Sequence, residues 1–196
     1  MAKILTSKNG TRKDVIIQKA ATLFKTKSYT ATSMRELAEG LGVEAPSLYN
    51  HIGSKSELLQ EICFKAGQSF MDQVRDVESK PISISGKIEM IIRFHIQMML
   101  ENFDEIYVAN HEWKHLQEPF LSDFLNVRRS YERSLVKLVE DGIKSGEIKS
   151  INPYVAVLTI LSAVRGLEFW QRNKKNISPQ VLEDDMVNHL LNGIVN

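Results

Sequence analysis

Cysteine is almost absent from this chain of 196 residues, where Cys63 stands alone. No internal disulfide can form, and a chain this long buries enough surface to fold without covalent or metal staples. A lone thiol also fits a reducing compartment. Long apolar runs are missing as well: none reaches the ~18 residues needed to cross a bilayer. The stretch MAKILTSKNGTRK carries charge with no apolar segment behind it. The expectation is therefore a cytoplasmic protein with no membrane partner. Proline is scarce too, at five residues, and Pro46, Pro81, Pro153 and Pro179 all fall where a helix would start or a loop would run. An excess of either charge is lacking overall, with a net charge of +1. That balance hides an asymmetry, because residues 1–55 sum to +5 and residues 56–196 to −4. A basic end is a common sign of a polyanionic partner, and it is also what an ordinary solvated face looks like.

What is present is helical periodicity. Thr11 with Asp14 makes a capping box, and Val15, Ile16, Ala20, Leu23 and Phe24 follow at helical spacing, which predicts a helix ending near Ser28. Ser33 with Glu36 opens a second helix that carries Met34, Leu37, Ala38 and Leu41 and closes at Gly40 and Gly42. Glu44 to Tyr49 reads as a short helix with Pro46 in its first turn, where the missing N–H has no partner to lose. Ser54 with Glu57 then starts a long helix bearing Leu58, Leu59, Ile62, Cys63, Phe70 and Val74.

A helix, a glycine turn and a short helix in the basic third of the chain form the pattern of a helix-turn-helix, whose second helix enters the DNA major groove. Val43, Leu48 and Ile52 can face the other helices. Ala45, Ser47, Tyr49, Asn50 and His51 then point outward, with small or hydrogen-bonding side chains. The run Thr32-Ser33, Leu37-Ala38, Gly42-Val43, Leu48-Tyr49, His51 and Lys55 resembles the DNA-binding domain of the TetR family of bacterial transcriptional regulators over about residues 11–60. That resemblance implies backbone contacts from Thr32 and Ser33, a groove position for Glu44, Ala45, Pro46 and Ser47, and phosphate contacts from Tyr49, His51 and Lys55. Glu44 departs from the small hydroxyl residue of many members, and it is either a base reader or a helix cap.

After Lys80-Pro81 the composition changes, and Ile84, Ile88, Ile91, Ile92, Ile96, Met98 and Met99 predict a buried helix that also carries His95. His111-Glu112-Trp113-Lys114-His115 matches H-E-x-x-H, the spacing that on a helix puts two histidines on one metal with the glutamate as base. Glu118-Pro119-Phe120-Leu121 follows instead of a third ligand motif, so a metal-dependent hydrolase is the lesser reading and incidental metal binding the other. No metal or cofactor is expected. Leu121, Phe124, Leu125, Tyr131, Leu135, Leu138 and Val139 form one helical stripe with Arg128 in its middle. That guanidinium is a structural ion-pair partner, a snorkelling side chain or an anchor for a ligand anion. The run from Arg128-Arg129-Ser130-Tyr131-Glu132 to Asp141-Gly142-Ile143 and Gly146 is similar to the ligand-binding halves of TetR members that control fatty-acid or sterol breakdown, some of them released from DNA by acyl-CoA thioesters.

Asn152-Pro153 and Ser178-Pro179 each read as cap and first helical residue, with a polar loop at Arg172 to Asn176 between the two helices. The first, expected from Tyr154 to Trp170, is apolar nearly all round. Val155, Thr159, Ser162 and Gly166, with Met186 and Leu190 of the second, are candidate dimer contacts. The reading is an all-α chain with a DNA-binding domain at 1–55 and an effector-binding and dimerisation domain at 56–196. It is a homodimeric regulator of a double-stranded operator, most simply a repressor, released by an apolar or amphipathic effector such as an acyl-CoA or fatty acid. Its pocket would be lined by some of His95, Met99, Tyr107, Trp113, Arg128 and Phe169. A pure dimerisation module is the remaining alternative.

Overall fold

The computed structural model describes residues 11–173 and 177–196, without the side chains of 172 and 173. The charged opening segment and the loop expected at 172–176 thus lie wholly or largely outside the described residues. The described chain is all-α, and its only extended pairing is an isolated antiparallel bridge between Ile148 and Val195. It divides into two compact units, Met1–Gln68 with Asp104–Asn126, and Ser69–Phe103 with Val127–Asn196.

In the first unit, α1 (Arg12–Lys27) and α2 (Met34–Gly40) both open on complete capping boxes, Thr11 with Asp14 and Ser33 with Glu36. Each box satisfies amide groups that the first turn leaves without partners, and a cap of this kind is worth about 1 kcal/mol. Gly42 at φ +67 takes the left-handed turn after α2, with no atom within 4 Å of where a Cβ would sit. α3 (Ala45–Tyr49) follows, and Gly53 N donates to Glu57 Oε2 at 2.8 Å ahead of α4 (Lys55–Ser79). The core of these helices is Ile16, Ala20, Phe24, Leu37, Leu48, Ile52, Leu58, Leu59 and Ile62, each at most 1% exposed. Burying a side chain of leucine or phenylalanine size contributes ~1.5–3 kcal/mol.

The same unit includes most of α6 (Phe103–His111), a 3-10 turn at Trp113–His115 and the start of α7 (Phe120–Ser145). Asp104 accepts from Thr22 Oγ1 at 2.6 Å and pairs with Lys25, which fixes the start of α6 on α1. Phe64 of α4 meets Phe120 and Phe124 edge-on at 6.3 and 5.8 Å.

The second unit holds α5 (Ile84–Glu101), α8 (Pro153–Arg165), α9 (Leu167–Asn173) and α10 (Pro179–Asn192), with the remainder of α4 and α7. Asn152 and Ser178 cap α8 and α10 as their proline-first sequences predict, accepting from Val155 N and Val181 N at 3.2 Å each. The helix expected from Tyr154 to Trp170 is two helices, divided at Gly166, the residue type with the poorest helix propensity after proline. Arg93 of α5 bonds Glu89 at 2.8 Å and, on α10, Glu183 at 2.9 Å and Asp184 at 3.0 Å. The chain end is fastened by Lys149 N donating to Ile194 O and Asn196 N to Glu147 O, at 2.8 and 3.1 Å.

Candidate functional site

Around the turn between α2 and α3 the predicted residues separate into an outer and an inner set. Ser33, Glu44, Pro46, Tyr49 and Asn50 are exposed, with Tyr49 at 51%, while Ala45, Ser47 and His51 are half-buried. Leu48 and Ile52, fully buried beneath them, hold α3 against the unit's core. Glu44 is the N-cap residue of α3 by position, yet its side chain makes no capping bond, so the carboxylate is left in solvent and the cap alternative drops out. Ser33 Oγ accepts from Glu36 N at 3.2 Å, and Lys27 Nζ lies 2.7 Å from Glu36 Oε1. Lys27 first, then the Ser33 amide, hold the Glu36 carboxyl down to about 2.

Thr32 and Lys55 face the other way. Thr32 is 3% exposed, and its hydroxyl donates to Ser28 O at 2.8 Å. Lys55 Nζ donates to Tyr29 O and Thr32 O at 2.9 Å each, reaches Thr30 O at 3.5 Å, and lies 4.5 Å from the Tyr29 ring centroid. Tyr29 has no place among the residues picked from sequence. An aromatic residue between a predicted helix end and a capping box is the only signal that would have marked it.

The six residues expected around an effector are divided between the two units. Tyr107 and Trp113 belong to the first unit, where the Tyr107 ring lies 4.3 Å from that of His111. His95, Met99, Arg128 and Phe169 belong to the second. There His95 Nε2 is 2.6 Å from Tyr131 Oη, and its ring stacks on Phe70 at 4.5 Å. Burial, helped by the nearby Arg165 charge, pushes the imidazole down to about 4, and burial pushes the Tyr131 phenol well above its ordinary value. Met99 is buried and its carbonyl accepts from Gln171 Nε2 at 3.1 Å, whereas Arg128 is half-buried. Phe169 is not enclosed at all in the single chain, being 70% exposed. A cavity of about 10 Å³ lies among Ile88, Ile91, Ile92, Leu135, Leu138, Val139, Val157 and Ile160, and none of the six lines it. It is wholly apolar and far below the ~300 Å³ at which ligand pockets begin. Trp170 Nε1, which the sequence did not single out, is buried and has no acceptor among the described residues.

The histidine pair at 111 and 115 does not share a helical face. α6 stops at His111, and Trp113–His115 is a separate 3-10 turn. His111 is exposed, while His115 lies 5.4 Å from the Tyr29 ring, the planes 21° apart. Among the described residues no three His, Cys, Asp or Glu side chains are grouped to hold a metal ion.

Another apolar surface sits in the second unit. Tyr154, Val155, Leu158 and Phe169 are between 51 and 70% exposed, and Thr159, Ser162 and Gly166 are exposed along the same run. On α10, Val181 is 51% exposed, with Met186 and Leu190 half-buried. No described helix is long and apolar enough to cross a membrane.

Residues 16–62 match the family "Bacterial regulatory proteins, tetR family", and residues 82–194 match "Tetracyclin repressor-like, C-terminal domain". The chain is 24% identical over 157 residues to the HTH-type transcriptional repressor KstR2 of Mycolicibacterium smegmatis, across 76% of this chain and 73% of that one. Among solved structures, the ketosteroid transcriptional regulator KstR2 of Mycobacterium tuberculosis superposes with a TM-score of 0.88 at 18% identity, covering 99% of this chain and all of the other. AibR in complex with isovaleryl coenzyme A and operator DNA gives 0.80 at 22% identity, covering 92% and 98%. At these identities the likeness to the solved structures is one of fold.

Proposed function

The chain belongs to the TetR family of bacterial regulatory proteins, and from that premise we propose that it is a homodimeric, DNA-binding transcriptional repressor released from its operator by a small effector. The observation that carries the DNA half is the outward set on and beside α3. Ser33, Tyr49 and Asn50 offer hydroxyl and amide groups to phosphates and base edges, and Leu48 and Ile52 fix the helix that presents them. Pro46 and Ala45 bring no side-chain donors, so Ser47, Asn50 and Glu44 carry direct readout. His51 adds a phosphate contact at the rim.

One short reading helix specifies few bases, so the active form is a dimer that sets two of them on a roughly palindromic site. The exposed face of α8, with Phe169 and Val181, is the interface, because a monomer that left these side chains in water would carry an unusual apolar patch. Phe169 accordingly moves from the pocket set to the dimer set.

The effector class rests on the neighbour crystallised with an acyl-CoA thioester and on the buried polar groups of the second unit: the His95–Tyr131 pair and the Trp170 N–H, which has no acceptor among the described residues. An acyl chain with a thioester carbonyl suits that mixture. Binding would favour one arrangement of the dimer and so lower operator affinity by its differential affinity for the two states. Catalysis is not part of this reading.

The test is fluorescence anisotropy with a duplex recovered by the protein from a random-sequence pool. Log affinity should fall linearly with log salt, and Leu158→Glu should yield monomers in sedimentation that bind weakly. A chain with no salt-dependent affinity for any duplex refutes the DNA reading. Unchanged operator affinity across a series of acyl-CoA thioesters refutes the effector class alone.

A further inference from the structure

Tyr29 is the meeting point of three segments of the first unit. Phe24 of α1 packs on it edge-on at 5.2 Å, the Lys55 ammonium of α4 lies 4.5 Å from its ring centroid, and His115 of the 3-10 turn stacks at 5.4 Å. The same ammonium takes the carbonyls of Tyr29, Thr30 and Thr32. An ammonium has three N–H donors, and here each has a carbonyl within reach. Thr32 in turn holds Ser28 O with its hydroxyl, and Ser28 has φ +72 and ψ 158, a region that non-glycine residues occupy only when their surroundings impose it.

Residues 28–32 lead directly into Ser33, the cap of α2. Their shape is thus imposed from α4 through Lys55 and from the 3-10 turn through His115. Behind His115, Glu112 is 9% exposed, and its Oε2 lies 3.4 Å from His115 Nε2 without hydrogen-bond geometry. A carboxylate oxygen kept in that position beside the ring needs a reason, since an unsatisfied buried acceptor is costly.

We propose that Lys55, Tyr29 and His115 form a strut that positions the Ser33 turn for DNA, with Lys55 holding that turn's carbonyls instead of a phosphate and residues 112–115 forming the strut's far end. The inference rests on the DNA-binding reading above. It gives the H-E-x-x-H stretch a mechanical role: Glu112 backs the ring that braces Tyr29, and a displacement of this segment changes operator affinity although none of its residues touches DNA. Lys55 and His115 are positioning residues. The N–H donors of Lys55 are taken up by backbone carbonyls and not by a phosphate, so its removal alters geometry and leaves the count of phosphate contacts unchanged.

The experiment measures operator affinity against salt for the full chain and four variants, Lys55→Gln, Lys55→Arg, His115→Ala and His115→Phe, at a temperature where circular dichroism shows each to be folded. The probe is the duplex recovered with the wild-type protein. Lys55→Gln and His115→Ala should each weaken binding roughly tenfold with the wild-type salt slope. Lys55→Arg, which keeps donors for the carbonyls, and His115→Phe, which restores a ring on Tyr29, should regain most of the loss. A salt slope shallower by about one in Lys55→Gln is the signature of a lost phosphate contact and overturns the proposal. Wild-type affinity in His115→Ala, or no recovery in His115→Phe, overturns it too. Should Lys55→Gln not fold, the two His115 variants decide. Absence of salt-dependent binding by the wild-type chain defeats the DNA-binding reading itself, and the strut falls with it.

Discussion

Acid should weaken this protein through His95 in a way that one substitution can isolate. The imidazole lies between Phe70, 4.5 Å away and nearly parallel, and the Tyr131 hydroxyl at 2.6 Å, with Arg165 the charge that acts on it. Its folded value is about 4 against an ordinary 6.5. In that interval the unfolded chain binds a proton at this residue and the folded chain does not. The contribution is therefore complete above pH 6.5 and is lost as pH falls toward 4. One proton and that shift give a loss of about 2 kcal/mol between pH 7.5 and pH 5, a large part of the ~5–15 kcal/mol that holds a typical domain.

His95→Phe keeps a ring on Phe70 but leaves the buried Tyr131 hydroxyl without its partner. It should therefore cost about 1–3 kcal/mol at pH 7.5. Because phenylalanine cannot take up a proton, the gap to the wild type should narrow by about 2 kcal/mol at pH 5. Urea unfolding followed by circular dichroism across that range, at one protein concentration so that association does not shift the midpoint, measures both curves. If the two stability curves run parallel with pH, the histidine is not protonating on unfolding and the argument from its burial is wrong.

Ser28→Gly should raise the unfolding free energy by about 1 kcal/mol, because glycine adopts φ +72 without strain, and a lower melting midpoint would count against that. Gly142→Ala should cost about 1–3 kcal/mol, since a Cβ there comes within 2.8 Å of both Ile148 Cγ1 and Ile84 Cγ2 in a packed region; a melting midpoint equal to wild type would show that the two isoleucines can yield. Lys27→Gln should move the Glu36 carboxyl from about 2 back toward 4.5, and an unmoved carboxyl titration by NMR would mean that Ser33 alone holds it down.

Features that depend on neighbours three or four residues away were legible along the chain. The capping boxes at Thr11 and Ser33, the proline-first starts of α8 and α10, the left-handed turn at Gly42 and the buried face of Leu48 and Ile52 are local bonds or periodicities, so they could be read directly. The family resemblance rested on the same local spacing. Tertiary structure decided the direction of side chains whose partners are distant in the chain. The family resemblance implied a backbone contact from Thr32 and a phosphate contact from Lys55. Yet the Lys55 ammonium meets carbonyls 23 to 26 residues earlier, and the Thr32 hydroxyl turns inward onto Ser28. The same holds for His115: its spacing from His111 suggested a metal site on a helix, but the helix ends and the ring goes to Tyr29. Local sequence fixes where a helix begins because the bonds that start it are local. It cannot fix which remote group has the lower-energy claim on a long, charged or aromatic side chain, since that depends on which surfaces burial brings together.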